Sequence, residues 1–196
     1  MRICDLVVVY GTGVRVGPVS WSLAPGVHRL TGPNGSGKTT LMRAMAADLH
    51  PSGGTVEVAG RDLHRDAGAR RHVGYLPATP DLPGYLTVDE SWQTVAALRG
   101  DPDWDGAPVR EALALPGDLR VSHGSSGQRR RAALLAALAA DPDVLLLDEP
   151  FAHLDDQGCA FLAGWIDDAR DRRVVVLTHH GTCPVVVDRE LSVNDR

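Results

Sequence analysis

The chain has 196 residues, 43% hydrophobic and 23% charged, with a formal net charge of −5. This is enough for one substantial domain with its own core, and the acidic balance with only 5% aromatics argues against a nucleic-acid binder built on basic faces and stacking platforms. Three scattered cysteines, Cys4, Cys159 and Cys183, show no CxxC spacing, which argues against a disulfide framework or zinc site and suits a reducing compartment.

Residues 2–10, RICDLVVVY, read as a strand, and Arg2 and Asp5 break the apolar run that a secretory signal needs. Val14 to Leu23 predicts a second pair of short strands turning at Gly17-Pro18. Gly11, Gly13 and Gly17 lack the spacing and the following helix of a dinucleotide fingerprint. Val27 to Leu30 is a short β-prone run, and GPNGSGKTT follows from Gly32 to Thr40. The next helix puts Leu41, Met42, Met45 and Leu49 on one face and ends near His50-Pro51. Thr55 to Val58 reads as a strand, 62–71 as a polar, Arg-rich solvated surface, and Val73 to Leu76 as a strand stopped by Pro77.

From 78 to 123, prolines and glycines punctuate short apolar runs, and this stretch reads as a small helical subdomain inserted between core strands. Thr87-Val88-Asp89-Glu90 is a capping box that predicts a helix over 88–98. A loop with solvated Asp103 and Asp105 precedes a short helix at Val109 to Leu115. Gly127 to Ala140 predicts a strong helix, with Arg129, Arg130 and Arg131 pointing in different directions in a solvated or interface role. Its apolar part, Ala132 to Ala140, falls well short of the roughly 20 residues of a membrane span. Val144 to Leu147 and Val174 to Leu177 are continuous apolar runs, the mark of strands buried on both faces. A helix is predicted between them over 156–170, and CPVVVDRELSV reads as a last strand pair. The order predicts an α/β fold with a mostly parallel sheet, an N-terminal antiparallel β subdomain and the inserted helical subdomain, all within one domain over 1–196.

The stretch from Gly32 to Thr40 fits G-x-x-x-x-G-K-[ST] with Gly32, Gly37, Lys38 and Thr39 in the fixed places. A triphosphate demands backbone N–H groups turned inward, and glycines at 32, 35 and 37, with Pro33, Asn34 and Ser36 between them, allow that close approach. Lys38 supplies a point charge, the Thr39 hydroxyl can ligate Mg²⁺, and a helix starting here adds its positive end. The bland reading is a glycine-rich turn that carries a lysine. Phosphoryl transfer to water also needs a held metal and a positioned water. Asp148, at the end of a buried strand, suits the metal, and Glu149 suits the water, against the alternative of a solvated acidic turn. His179 ends the next buried strand and could reach a γ-phosphate, although a lone histidine is more often structural.

The ordered set of phosphate loop, GYLP, SSGQRRR, LLLDEP, HLD and TH resembles the nucleotide-binding subunit of ABC transporters over nearly the whole chain. The resemblance implies an α/β P-loop NTPase core, ATP and Mg²⁺ as ligands and ATP hydrolysis as the activity. It places Gly32 to Thr39 as Walker A with Thr40 beside it, Val144 to Asp148 as Walker B, and Glu149 as the catalytic glutamate. Ser125, Ser126, Gly127 and Gln128 stand where the LSGGQ signature is expected, Asp155 on the D-loop aspartate, His179 on the switch histidine, and Tyr10 on the adenine-stacking aromatic. Three residues depart from the pattern: Gly124 replaces the signature leucine, Ser126 its first glycine, and Ala78 the glutamine after GYLP, leaving Thr79 and Thr87 as the nearest useful polar groups. The resemblance further implies a head-to-tail dimer, homo- or heterodimeric, in which each signature grips the partner's ATP. A membrane-spanning permease would dock on 78–123, with the chain cytoplasmic and peripheral on the inner face of the membrane and no direct nucleic-acid contact. A soluble ATPase of the same family acting on nucleic acid or ribosomes is the second reading, but neither an internal repeat nor coiled-coil heptads are present. A weakly hydrolytic subunit of a heterodimer is the third.

Overall fold

The computed structural model describes residues 1–181 and 183–193. The antiparallel sheet has the order β2-β1-β4-β5, from β1 (Arg2–Val9), β2 (Arg15–Ser22), β4 (Gly53–Val58) and β5 (Arg61–Asp62). Period-two alternation drives it: Ile3, Leu6 and Val8 on β1 and Val16, Val19 and Trp21 on β2 turn to the core. The expected pair of short strands over 14–23 is instead the single strand β2. Gly17-Pro18 is a cis peptide within that strand, opposite the register shift around Leu6. Gly17 has φ of 91°, and a Cβ there would lie 2.3 Å from the Leu6 carbonyl oxygen, so a side chain has no room.

The parallel sheet has the order β6-β7-β8-β3-β9, from β3 (Gly26–Thr31), β6 (Val73–Leu76), β7 (Val144–Leu147), β8 (Val174–Leu177) and β9 (Arg189–Ser192). The apolar runs of β7 and β8 are explained by two cores. Val144, Leu146, Val174 and Val176 face the antiparallel sheet and helix α1 (Lys38–Met45), while Leu145, Leu147, Val175 and Leu177 face the helical layer. That layer contains α2 (Val88–Arg99), α3 (Ala107–Ala112), α4 (Ser126–Leu138) and α5 (Asp156–Ala169). The capping box of α2 forms as predicted, the Thr87 N–H donating to Glu90 Oε2 at 2.8 Å and the Glu90 N–H to Thr87 Oγ1 at 3.1 Å.

Two further expectations are corrected. The tail is one strand, β9, rather than a pair. Before it, Asp188 accepts from the Val27 N–H at 2.7 Å through its side chain and donates its own N–H to the Val27 oxygen, so the segment docks through single contacts. The 62–71 stretch is not simply solvated: Leu63 and Ala69 are fully buried in the core, and Arg70 donates to the Leu63 and His64 carbonyls. The parallel topology brings four strand carboxyl ends together: the Gly32 loop after β3, Pro77-Ala78 after β6, Asp148-Glu149 after β7 and Thr178-His179 after β8.

Candidate functional site

The loop after β3 is shaped by residues that admit no side chain. Gly37, the N-cap of α1, has φ of 100°, and a Cβ there would sit 2.4 Å from Val16 Cγ1. A Cβ on Gly32 would meet Ser36 Oγ at 2.6 Å. Pro33, Asn34 and Gly35 form the exposed crest. Lys38 curls back over the loop, and its Nζ donates to the Gly32 oxygen at 2.7 Å and the Pro33 oxygen at 3.0 Å. Because α1 begins at Lys38, its unpaired N–H groups and positive end face the same space. Tyr10 lies at the rim, with its hydroxyl 2.9 Å from Thr40 Oγ1 and its ring partly exposed.

Asp148 is 3% exposed, so its carboxylate must be satisfied internally. Thr39 Oγ1 donates to Oδ2 at 2.8 Å, and Thr178 Oγ1 donates to Oδ1 at 2.6 Å. The same Thr178 oxygen accepts from the Glu149 N–H at 2.8 Å. Glu149 holds the left-handed backbone region at φ 52°, a conformation uncommon outside glycine and frequent at functional sites. Its carboxylate lies between two histidines, with His179 Nδ1 3.7 Å from Oε2 and His180 Nε2 3.5 Å from Oε1. The His179 ring packs edge-on to Phe151 at 5.6 Å, and Arg29 donates to the His179 carbonyl at 2.9 Å, fixing the turn that carries it. The paired hydroxyl and carboxylate of Thr39 and Asp148 are hard oxygen donors of the kind that would hold Mg²⁺.

The signature tract opens α4 by a second capping box. Ser125 Oγ accepts from the Gln128 N–H at 3.2 Å, and Gln128 Oε1 accepts from the Ser125 N–H at 2.9 Å. Ser125 and Ser126 are exposed, and among the described residues no hydrogen bond or ion pair joins Ser125, Ser126, Gly127 or Gln128 to the phosphate loop. Asp155 caps α5 by accepting from the Gly158 N–H at 2.9 Å, and lies 3.6 Å from Arg131 Nη1. The structure thus joins the phosphate loop, Asp148, Glu149 and His179 into one site and leaves the signature serines outside it, facing solvent.

The residue reading passed over three members of this site: Thr178, His180 and Arg130. The Arg129–Arg131 expectation is corrected at its centre, because Arg130 is buried and its guanidinium donates to the carbonyls of Pro77, Ala78, Asp148 and Glu149 at 2.5 to 2.7 Å. Arg129 donates to the Gly124 oxygen and Arg131 to the Leu113 oxygen. The spacing held the signal: Arg130 shares a helical face with buried Leu134 and Ala137. Among the described residues no helix is long and apolar enough to cross a membrane.

Comparison with known proteins identifies the family. The family described as ABC transporter matches residues 16–152. A probable anion import ATP-binding protein of Haloferax volcanii is 36% identical over 192 residues, covering 85% of this chain and 66% of that protein. A Nod factor export ATP-binding protein I of Burkholderia orbicola is 33% identical over 184 residues, covering 87% of this chain and 59% of that protein. The chain therefore spans less than two thirds of these relatives' own lengths. A dimeric structure of a bacterial ABC transporter cassette superposes with a TM-score of 0.81 at 19% identity, over 100% of this chain and 96% of that one, which supports the fold.

Proposed function

The chain belongs to the ABC transporter family of ATP-binding proteins, and from that premise we propose that it is the ATP-hydrolysing subunit of a multi-chain transporter, driving a membrane-spanning partner. One observation carries the reading: the 2.8 Å bond from Thr39 to Asp148, which locks the phosphate loop onto the acidic strand end beside Glu149. Lys38 exchanges its two loop carbonyls for the β- and γ-phosphates, and Tyr10 offers its ring to adenine. Thr39 and Asp148 would hold Mg²⁺, which neutralises phosphate charge when bound. Glu149 orients and polarises the attacking water, and His179 donates towards the γ-phosphate.

The exposed Ser125 and the Gly127 amide have no phosphate loop of their own to serve, which supports a head-to-tail dimer in which they complete the partner's site and exclude water. Asp155, 3.6 Å from Arg131 of the helix that carries the signature, would stand at that interface. The 78–123 segment, where Tyr85 is 74% exposed, is the docking face for the permease. The test is steady-state ATP turnover of the purified chain beside Glu149→Gln, with size-exclusion under saturating ATP. Turnover abolished by the substitution, with a stable ATP-dependent dimer of the variant, is the expected result. Equal turnover in both proteins, or a variant that stays monomeric with ATP bound, would overturn the reading.

A further inference from the structure

Among the groups that line the site, one buried cation has no assigned role. The Arg130 guanidinium divides its bonds by nitrogen. Nη1 takes the carbonyls of Pro77 and Ala78, both at 2.6 Å, and Nη2 takes those of Asp148 at 2.5 Å and Glu149 at 2.7 Å. Each terminal nitrogen thus serves one strand end. The ladder between β6 and β7 stops at Leu76 and Leu147, with the Asp148 N–H reaching back to the Leu76 oxygen at 2.9 Å. Beyond that point, the planar fork of Arg130 continues the pairing that the strands have abandoned.

On the ATPase reading of this site, we propose that Arg130 is a positioning residue that yokes the loop after β6 to Glu149, so that a displacement of Pro77-Ala78 reaches the catalytic carboxylate through the main chain. Ala78 carries no functional side chain, so its own link to the site runs through its carbonyl, which Arg130 holds. Glu149 is prepared to receive it. Its N–H is fixed by Thr178, its carbonyl is held by Arg130, and its left-handed backbone aims the carboxylate. Turning the Glu149 peptide therefore turns the group that orients water. Arg130 is also rooted in α4, the helix capped by Ser125, so signature tract, loop and glutamate meet at one side chain. Burial pulls its pKa down, and the Asp148 and Glu149 carboxylates oppose that shift. A lysine in its place presents donors from a single nitrogen and cannot bridge both pairs of carbonyls.

The test uses Arg130→Lys and Arg130→Met in the full chain, with local mobility and turnover as readouts. Amide hydrogen exchange of the nucleotide-free protein should rise at Asp148 and Glu149, whose N–H groups are bonded to Leu76 and Thr178, and a spin label at exposed Thr79 should gain mobility, while exchange at 61–64 stays unchanged. Turnover should fall about 10- to 100-fold, the range expected for charged hydrogen bonds, with KM for ATP held within about twofold. ATP-binding stoichiometry on the same preparations verifies the folded fraction, and the lysine variant carries the test if the methionine variant does not fold. A change at only one of the two segments, or turnover equal to the parent, overturns the proposal. Because exchange needs no turnover, a parent chain that never hydrolyses ATP refutes the proposed function while leaving the yoke separately testable.

Discussion

Thr178→Val removes one oxygen and almost no volume, so it isolates what that hydroxyl does. Thr178 is 1% exposed, and its oxygen both donates to Asp148 at 2.6 Å and accepts from the Glu149 N–H at 2.8 Å. A hydrogen bond to a charged group contributes about 1.5–3 kcal/mol, and a stranded buried N–H costs about 1–3 kcal/mol. Against these, one extra buried methyl returns about 0.8 kcal/mol. The balance is a loss of about 2–5 kcal/mol, or about 4–20 °C in Tm for a chain of this size. Thermal unfolding by calorimetry or circular dichroism checks it, with Thr178→Ser as the paired control. Serine keeps the hydroxyl and loses only the methyl, so its loss should stay near 1 kcal/mol. A valine variant within about 2 °C of the parent, or a serine variant as damaged as the valine one, would refute the reasoning that this oxygen braces the two carboxylate-bearing residues.

Three further outcomes are expected. Lys38→Met should weaken ATP binding about 100-fold or more in a fluorescent-nucleotide titration, while Tm moves little, since one of the carbonyls it releases is exposed and the other only partly buried. Gly74→Ala should destabilise by about 3 kcal/mol, because the new Cβ would lie 2.2 Å from the Ala137 carbonyl oxygen and 2.9 Å from Leu145 Cδ1; denaturant titration reads this. Burial holds the His64 imidazole below its ordinary pKa of 6.5, partly offset by the bond between Nε2 and the Ala44 oxygen at 2.8 Å. The unfolded chain then binds the proton more readily, so the contribution of His64 is complete above pH 6.5 and is lost as pH falls through the lower folded-state value. His64→Gln should flatten the decline of Tm between about pH 7 and about pH 5, and an unchanged slope counts against the assignment.

What could be read from the residues was whatever leaves a local trace. Val144–Leu147 and Val174–Leu177 announce themselves because strands covered on both faces need apolar side chains at every position. The α2 start was legible because Thr87 and Glu90 satisfy each other across one turn. The phosphate loop, Asp148 and Glu149 were legible because their chemistry fixes spacing. Arg130 and Thr178 were passed over because their partners lie 18 to 53 residues away, and nothing local separates a solvated arginine from one closing a ladder. Leu63 and Ala69 went unread for a similar reason, as single apolar residues amid charge whose burial is decided by the sheet above them.

The position of β3 has a consequence for how the chain comes into being. This strand, which ends in the phosphate loop, lies far ahead in sequence of both its neighbours, β8 and β9, which come from 174–192. A nascent chain emerging from the ribosome therefore carries a strand with two open edges until that later segment is made, a template for pairing with other chains. The phosphate loop itself comes early, but Asp148, Glu149 and His179 join it only when β7 pairs with β8 and β8 with β3. Bringing such distant segments together is slow, so completion of the site is tied to the long-range steps of folding.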